Sequence, residues 1–198
     1  MTHTVGLVPG SYKPYHIGHD MLVRIAASEC DEVHLFVSTS DRIRPGQVPI
    51  YGAVMKKIWQ TFLEPSLPSN VSVTYGGSPV QHVYEDIEAA EADDDRDVHF
   101  KIYSDDVDVL KYSDAALKKS APKLFKRKQI ERRGVKRTET VNVSGTEMRG
   151  YLQTGDVKKF VSLLPPAVQK SGKKIYDMLR HGVDESLIRQ YVSAVVAG

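Results

Sequence analysis

Residues 5–26 read "VGLVPGSYKPYHIGHDMLVRIA", and the order of patterns within that stretch decides the fold class. Val5 to Val8 is a short apolar run ending at Pro9-Gly10, which suits a buried strand followed by a loop. Beyond the loop, Met21, Leu22, Ile25 and Ala26 recur at helical spacing, so a helix is expected to start near Gly18. Strand, loop and helix in that order point to the α/β class.

The alternation continues along the chain. Val33 to Val37 ("VHLFV") reads as a second strand, and a polar loop follows from Ser38 to Gly46. Val54, Met55, Ile58, Trp59, Phe62 and Leu63 form a helical stripe that Pro65 and Pro68 should stop. Val71 to Tyr75 is a third strand closed by Gly76-Gly77, and Val80, Val83, Tyr84 and Ile87 mark another helix. Val98 to Tyr103 is a fourth strand, with a helical stretch expected over 107–117. A short fifth strand is expected at Thr140–Val143, with a helix after Ser144. After Phe160 to Leu164 and the Pro165-Pro166 break, helices are expected near Gly172–Arg180 and Asp184–Val195.

About five strand–helix alternations predict a three-layer α/β/α domain with a five-stranded parallel sheet and right-handed crossovers. Ligands of such sheets sit at the carboxyl ends of the strands, near the point where strand order reverses. The loops after strands one, two, four and five are therefore the ones expected to matter. The helical tail either covers the sheet or makes an interface, which leaves room for a homo-oligomer.

Bulk properties bound the function. With 198 residues the chain is long enough to bury a core without staples. Apolar residues at 41% and charged residues at 26% fit a globular protein, and a net charge of +2 implies no global polyanion partner. Cys30 is the single cysteine, so no internal disulfide is expected. The first residues lack a basic region and a long apolar run, and no apolar run approaches the ~20 residues of a membrane span. The expected location is cytoplasmic, without a membrane partner.

Charge is segregated along the chain. Lys118 to Arg137 holds ten Lys/Arg against Glu131, a local net of +9, while Glu85 to Asp97 holds eight acids against Arg96, a local net of −7. Two solvated faces are one account. A basic flap over a polyphosphate, just ahead of the fifth strand, is the other. Phe125 is the one aromatic in the basic run, so the stacking platform of a single-strand nucleic-acid binder is missing, and no nucleic-acid partner is expected.

Two loops carry the chemistry. In "GSYKPYHIGH" (Gly10–His19), Gly10 would free backbone donors for an anion and Gly18 would let a ligand approach a helix start. His16 and His19 are placed to hydrogen-bond phosphoryl oxygens and stabilise charge developing on them. A proline turn with surface histidines is the plainer account. Its weight is lowered by the loop's place after strand one, by the Gly-Ser before it, and by a matching loop further along the chain.

That matching loop is "VSGTEMR" (Val143–Arg149). Ser144-x-x-Glu147 is a helix capping box. The box leaves Thr146 and Arg149 unexplained. Hydroxyls, helix N–H groups and an arginine fork make an anion site compatible with it.

The pair of loops resembles the motifs of HIGH-type nucleotidyltransferases (the cytidylyltransferase-like superfamily). The histidine loop resembles their (H/T)xGH motif. The Ser-Gly-Thr loop is similar to their ISSTxxR motif, in the SGTE(I/M)R form of nicotinamide-mononucleotide adenylyltransferases of archaeal type and of ATP sulfurylases. The likeness covers roughly residues 4 to 155. It implies a Rossmann-like nucleotidyltransferase domain over residues 1–155, with residues 156–198 as a helical extension packed on it.

The resemblance also implies roles. His16, His19 and Arg149 would be catalytic, the histidines acting on the triphosphate. Ser144 and Thr146, with Arg149, would bind its β- and γ-phosphates. Gly18 would lie under the nucleoside, Asp105 would contact it, and the backbone from Gly10 through Ser11 and Tyr12 would meet the α-phosphate. Lys13 stands where relatives often have Asp, Gln or Tyr; it is grouped with the nucleotide-binding residues, with contact to phosphate or to the acceptor both open to it. Asp41, Arg42 and Arg44 would read a phosphorylated acceptor. Mg²⁺ would accompany the triphosphate, and no residue set suggests a permanent metal site.

The implied reaction is transfer of a nucleoside monophosphate, AMP from ATP first, to a phosphorylated acceptor such as nicotinamide mononucleotide, with release of pyrophosphate. A cytidylyltransferase using CTP on a sugar or polyol phosphate, and a non-catalytic nucleotide sensor, are the alternatives. A class I aminoacyl-tRNA synthetase is rejected, because no KMSKS-type loop or tRNA-binding module is present. Trp59 lies on the apolar stripe of its helix, and core packing is expected for it.

Overall fold

The computed structural model describes residues 3–93, 97–136 and 141–181. Five strands, β1 (His3–Gly10), β2 (Glu32–Val37), β3 (Val71–Tyr75), β4 (Val98–Asp105) and β5 (Ile130–Val135), form one sheet in the order β3-β2-β1-β4-β5. All four pairings are parallel. The chain winds outward from β1 through β2 to β3, then returns to β4 on the other side of β1. Strand order therefore reverses between β1 and β4, and the loops that leave their carboxyl ends part there.

Side chains alternate as strand geometry requires. Val33, Leu35 and Val37 of β2 enter one core, and Phe36 enters the other. In β4, Val98, Phe100 and Ile102 face the second core while Tyr103 faces the first. The helices α1 (Ile17–Glu29) and α2 (Gly52–Ile58) cover the first face. The second is covered by α3 (Pro79–Glu91), α4 (Asp114–Ser120) and α5 (Pro122–Lys126). The expected three-layer α/β/α arrangement with a five-stranded parallel sheet is what the chain adopts.

After the last strand come α6 (Gly145–Thr154), α7 (Val157–Ser162) and α8 (Gly172–His181). Phe160, Leu164, Ile175 and Leu179 are buried in the same core as Met55 and Trp59. Gly172 permits the close approach of α8 to α7: a Cβ there would lie 2.6 Å from a Val161 methyl. The boundary expected after residue 155 falls at the left-handed Gly155 that closes α6 (φ +81°), but the core runs across it without a break. The helix expected at Asp184–Val195 lies outside the described residues.

Three expectations are revised. The fifth strand is not at Thr140–Val143. Residues 141–143 have no strand pairing, Thr140 lies outside the described residues, and β5 is the charged segment "IERRGV". It pairs only with β4, and Glu131 and Arg132 are exposed, so a polar composition is tolerated and guards the sheet edge. Much of the basic run is thereby built into α4, α5 and β5 and is no flap. The two charge runs also meet in space: the Glu91 carboxylate accepts the Lys123 and Leu124 backbone N–H groups (2.9 Å each) at the start of α5. Finally, the stretch expected as one helix over 107–117 is split into a 3-10 turn (Asp108–Lys111) and α4.

Candidate functional site

The loop after β1 is packed from below. Tyr12 is 3% exposed, and its ring fills the space a Cβ on Gly10 would need, 2.3 Å from the ring. Gly10 is thus explained by packing, in addition to any backbone donor it offers. Tyr12 is left-handed (φ +48°), a conformation that costs a non-glycine residue about 1–3 kcal/mol. Its hydroxyl donates to the Val8 carbonyl (3.2 Å), and its ring meets Tyr15, His19 and Trp59 edge-on at 5.6, 5.0 and 5.8 Å. Trp59, fully buried as expected, also meets Tyr15 at 4.6 Å. A π-helical turn (Trp59–Leu63) continues α2 at that point.

His16 occupies the N-cap position of α1, where its carbonyl accepts the His19 and Asp20 N–H groups. Its ring stacks on His19 with centroids 3.6 Å apart and planes 19° from parallel. Gly18 leaves room for this, since a Cβ there would come within 3.2 Å of the His16 ring and 3.0 Å of the Val141 carbonyl. Burial, and then the neighbouring His16, hold the His19 pKa well below the usual imidazole value. Near neutrality the His19 imidazole is therefore a neutral hydrogen-bonding group. The Ile17 N–H, one of the unpaired donors at the start of α1, is taken by the Leu163 carbonyl of the tail (2.8 Å).

In the second loop, Ser144 caps α6: its hydroxyl accepts the Glu147 N–H (3.1 Å). Only this half of the expected capping box forms, because the Glu147 carboxylate instead accepts the Tyr151 hydroxyl (3.0 Å). Arg149 joins the two loops. It donates to the Lys13 carbonyl (2.9 Å) and to the Thr146 hydroxyl (2.8 Å). Gly145 leaves room for this fork, since a Cβ there would lie 2.9 Å from Arg149 Nη1. Burial first, and then the charges of Arg42 and Arg44, lower the Arg149 pKa to about 10, so it remains a cation at neutral pH.

Between the loops, at the β1/β4 switch point, lies a cleft of about 250 Å³. Gly10, Ser11, His16, His19, Asp105 and Ser144 line it, as do Tyr12 and Gly18. The N-termini of α1 and α6 both open on it. Asp105 uses Oδ1 to accept the Val107 and Asp108 N–H groups (3.0 and 2.7 Å), which shapes the loop after β4. Asp108, Val135 and Val141 also line the cleft and were missed from sequence. Placing β5 correctly would have put Val135 at a strand's carboxyl end. The acid-rich "DDVD" (Asp105–Asp108) was the available signal for Asp108.

Lys13, Thr146 and Arg149 do not line this cleft; they stand beside it. The side chain of Lys13, expected among the nucleotide-binding residues, is turned to Ser38 and Ser40. Asp41 is likewise engaged structurally, its Oδ1 accepting the Gly52 N–H (2.8 Å) at the start of α2. Gly52 is compulsory there, since a Cβ would overlap the Thr39 carbonyl at 1.6 Å. Arg42 bridges Ile50 through its backbone and donates to the Gln47 side chain (2.6 Å), while Arg44 is exposed. Among the described residues no three His, Cys, Asp or Glu side chains are grouped to hold a metal ion. Among them, too, no helix is long and apolar enough to cross a membrane.

No protein-family model matches the chain, and no curated protein matches it. Solved structures do. One is a bifunctional NMN adenylyltransferase/ADP ribose pyrophosphatase from Francisella tularensis, 15% identical over 100% of this chain and 57% of that one, with a TM-score of 0.56. Another is the Francisella tularensis bifunctional enzyme complexed with AMP and manganese, 14% identical over the same shares, with a TM-score of 0.53. The chain thus spans 57% of the length of either. At these identities the likeness is one of architecture, and the chain has the Rossmann-like α/β/α fold that it shares with those structures.

Proposed function

We propose that the chain is a nucleotidyltransferase that moves a nucleoside monophosphate, AMP from ATP first, onto a phosphorylated acceptor such as nicotinamide mononucleotide, releasing pyrophosphate. The observation that carries the reading is the convergence of two helix N-termini on one switch-point cleft, with the His16–His19 stack on one and Ser144 on the other. Unpaired N–H groups and positive helix ends suit a polyphosphate. The adenylyltransferase activity named for the Francisella protein points the same way.

In this mechanism an acceptor oxyanion attacks the α-phosphorus in line and the bond to the β-phosphate oxygen breaks, so pyrophosphate leaves with the electron pair. No covalent intermediate on the protein is needed. Positioning and charge stabilisation supply the catalysis. His16 and His19 donate to oxygens that gain charge. Ser144 and the first N–H groups of α6 hold the departing phosphates, with Arg149 as the nearest cation. Asp105 and Asp108 face the nucleoside end. Mg²⁺ enters bound to the triphosphate as part of the substrate.

A screen of nucleoside triphosphates against phosphorylated acceptors, read by pyrophosphate release with Mg²⁺, tests the reading. Turnover with ATP and one acceptor is expected. Turnover with CTP alone would reassign the base, and nucleotide binding without turnover across the panel would make the chain a sensor.

A further inference from the structure

Lys13 is left unexplained by the nucleotide cleft. It is 5% exposed, yet its ammonium contacts only the neutral hydroxyls of Ser38 and Ser40, both at 3.1 Å. Those two hydroxyls lie 2.9 Å apart and bond each other. An ammonium has three donors, so two are used. Among the described residues no carboxylate lies within ion-pair distance of it. Asp41, the acid nearest in effect, gives an oxygen to the Gly52 N–H. Burying a cation without a counter-ion is unfavourable unless something supplies the missing charge.

Other cations stand around the same loop. The Lys13 carbonyl receives Arg149, and Arg149 in turn feels Arg42 and Arg44. Three arginines therefore act on one another beside the Lys13 backbone, where the loops after β1 and β2 meet α6. The cleft beside them holds the carboxylates of Asp105 and Asp108 and a depressed-pKa imidazole. Ser40, which the ammonium contacts, is exposed.

We propose that Lys13 is the specificity-determining residue for the acceptor, its ammonium forming a subsite for an acceptor oxyanion beside the nucleotide cleft and separate from it. This rests on the transferase reading above. Ser38 and Ser40 orient the ammonium, and the arriving phosphate or carboxylate supplies its counter-charge. A compact ammonium serves either anion as a point charge.

The test uses the single tryptophan, Trp59, which lies under this loop, as a fluorescent reporter. Inorganic phosphate, and separately acetate, are titrated into the whole chain saturated with α,β-methylene-ATP. Saturable phosphate binding is expected. Lys13→Met should weaken it ~10-fold or more, the loss of one charge-assisted hydrogen bond, with affinity for the ATP analogue unchanged. Lys13→Arg should restore much of it. Ser38→Ala/Ser40→Ala, which keeps the charge, should lose less than Lys13→Met. Saturation by acetate in place of phosphate would support the subsite and identify a carboxylate acceptor.

Equal losses of phosphate and analogue affinity in Lys13→Met would overturn the proposal, as would no loss at all. So would a serine double variant as weak as Lys13→Met, which would make Lys13 a mere tie between loops. If the wild-type chain fails to bind the analogue, the transferase reading falls. Phosphate titrated alone, against the same variants, then still decides Lys13.

Discussion

The two loops of the site are built in opposite ways. The first rests on a buried aromatic floor of Tyr12, Tyr15 and Trp59, which holds even a left-handed tyrosine in place. The second stands at the start of a helix whose first turn exposes Thr146 and Glu147, and the Arg149 fork ties it to the first. The histidine loop is held by aromatic packing on its own residues, whereas the second loop relies on Met148 and Leu152 further along its helix for burial and on polar contacts for its tie to the first. Damage to the first should therefore appear as lost stability and lost chemistry, and damage to the second mainly as lost affinity.

The largest effect should come from the floor. Trp59→Ala is expected to lower stability by about 3–5 kcal/mol, measured by denaturant unfolding, because it removes the largest fully buried side chain. A loss below ~1 kcal/mol would mean that the loop does not depend on its floor. Next, His19→Ala should lower turnover ~10²-fold or more while the circular dichroism spectrum stays native. Near-normal turnover would remove His19 from the chemistry. Arg149→Ala should weaken ATP binding by about 10-fold and leave unfolding little changed, as its half-buried fork suggests. Unchanged affinity would detach the second loop from the triphosphate. The smallest effect is Ser144→Ala, about 1 kcal/mol of stability from the lost cap, seen in the same unfolding assay.

The same contrast has a pH signature. The folded-state pKa of His19 is depressed, so the unfolded chain binds more protons between that value and the ordinary ~6.5. Its contribution is a stability that declines as pH falls below about 6.5 and is flat above it. His34, whose pKa is raised by hydrogen bonds to Asp86 and Glu32, acts in the opposite sense. The quantity to measure is therefore the difference between wild type and His19→Gln across pH 5 to 8. A difference curve that stays flat below pH 6.5 would contradict the assigned burial.

How much of this was legible in the sequence follows from where burial was total. The strands β1, β2 and β4 were readable because each places apolar residues in two cores, as Val33 to Val37 shows, and β3 because Val71, Val73 and Tyr75 alternate with polar residues and pack on one. β5 was not, because an edge strand with one neighbour carries charge and its composition resembles a solvated segment. The site residues His16, His19, Asp105 and Ser144 reach one cleft as their positions after β1, β4 and in the second loop suggested. The direction of Lys13 and the employment of Asp41 were hidden. Each depends on a side chain choosing between neighbours brought together by the fold, Ser38 and Ser40 for one and Gly52 for the other. Spacing along the chain does not encode such choices.

The hydrogen bond from the Ile17 N–H to the Leu163 carbonyl has a bearing on modularity. Residues that come after the Ser-Gly-Thr motif, and that resemble an appendage, hold the first turn of the histidine helix. A shortened chain ending at Gly155 would keep every motif residue and lose the strut beneath them. In this protein the motif-bearing half and the tail are one machine part, and neither can be exchanged without retuning the other.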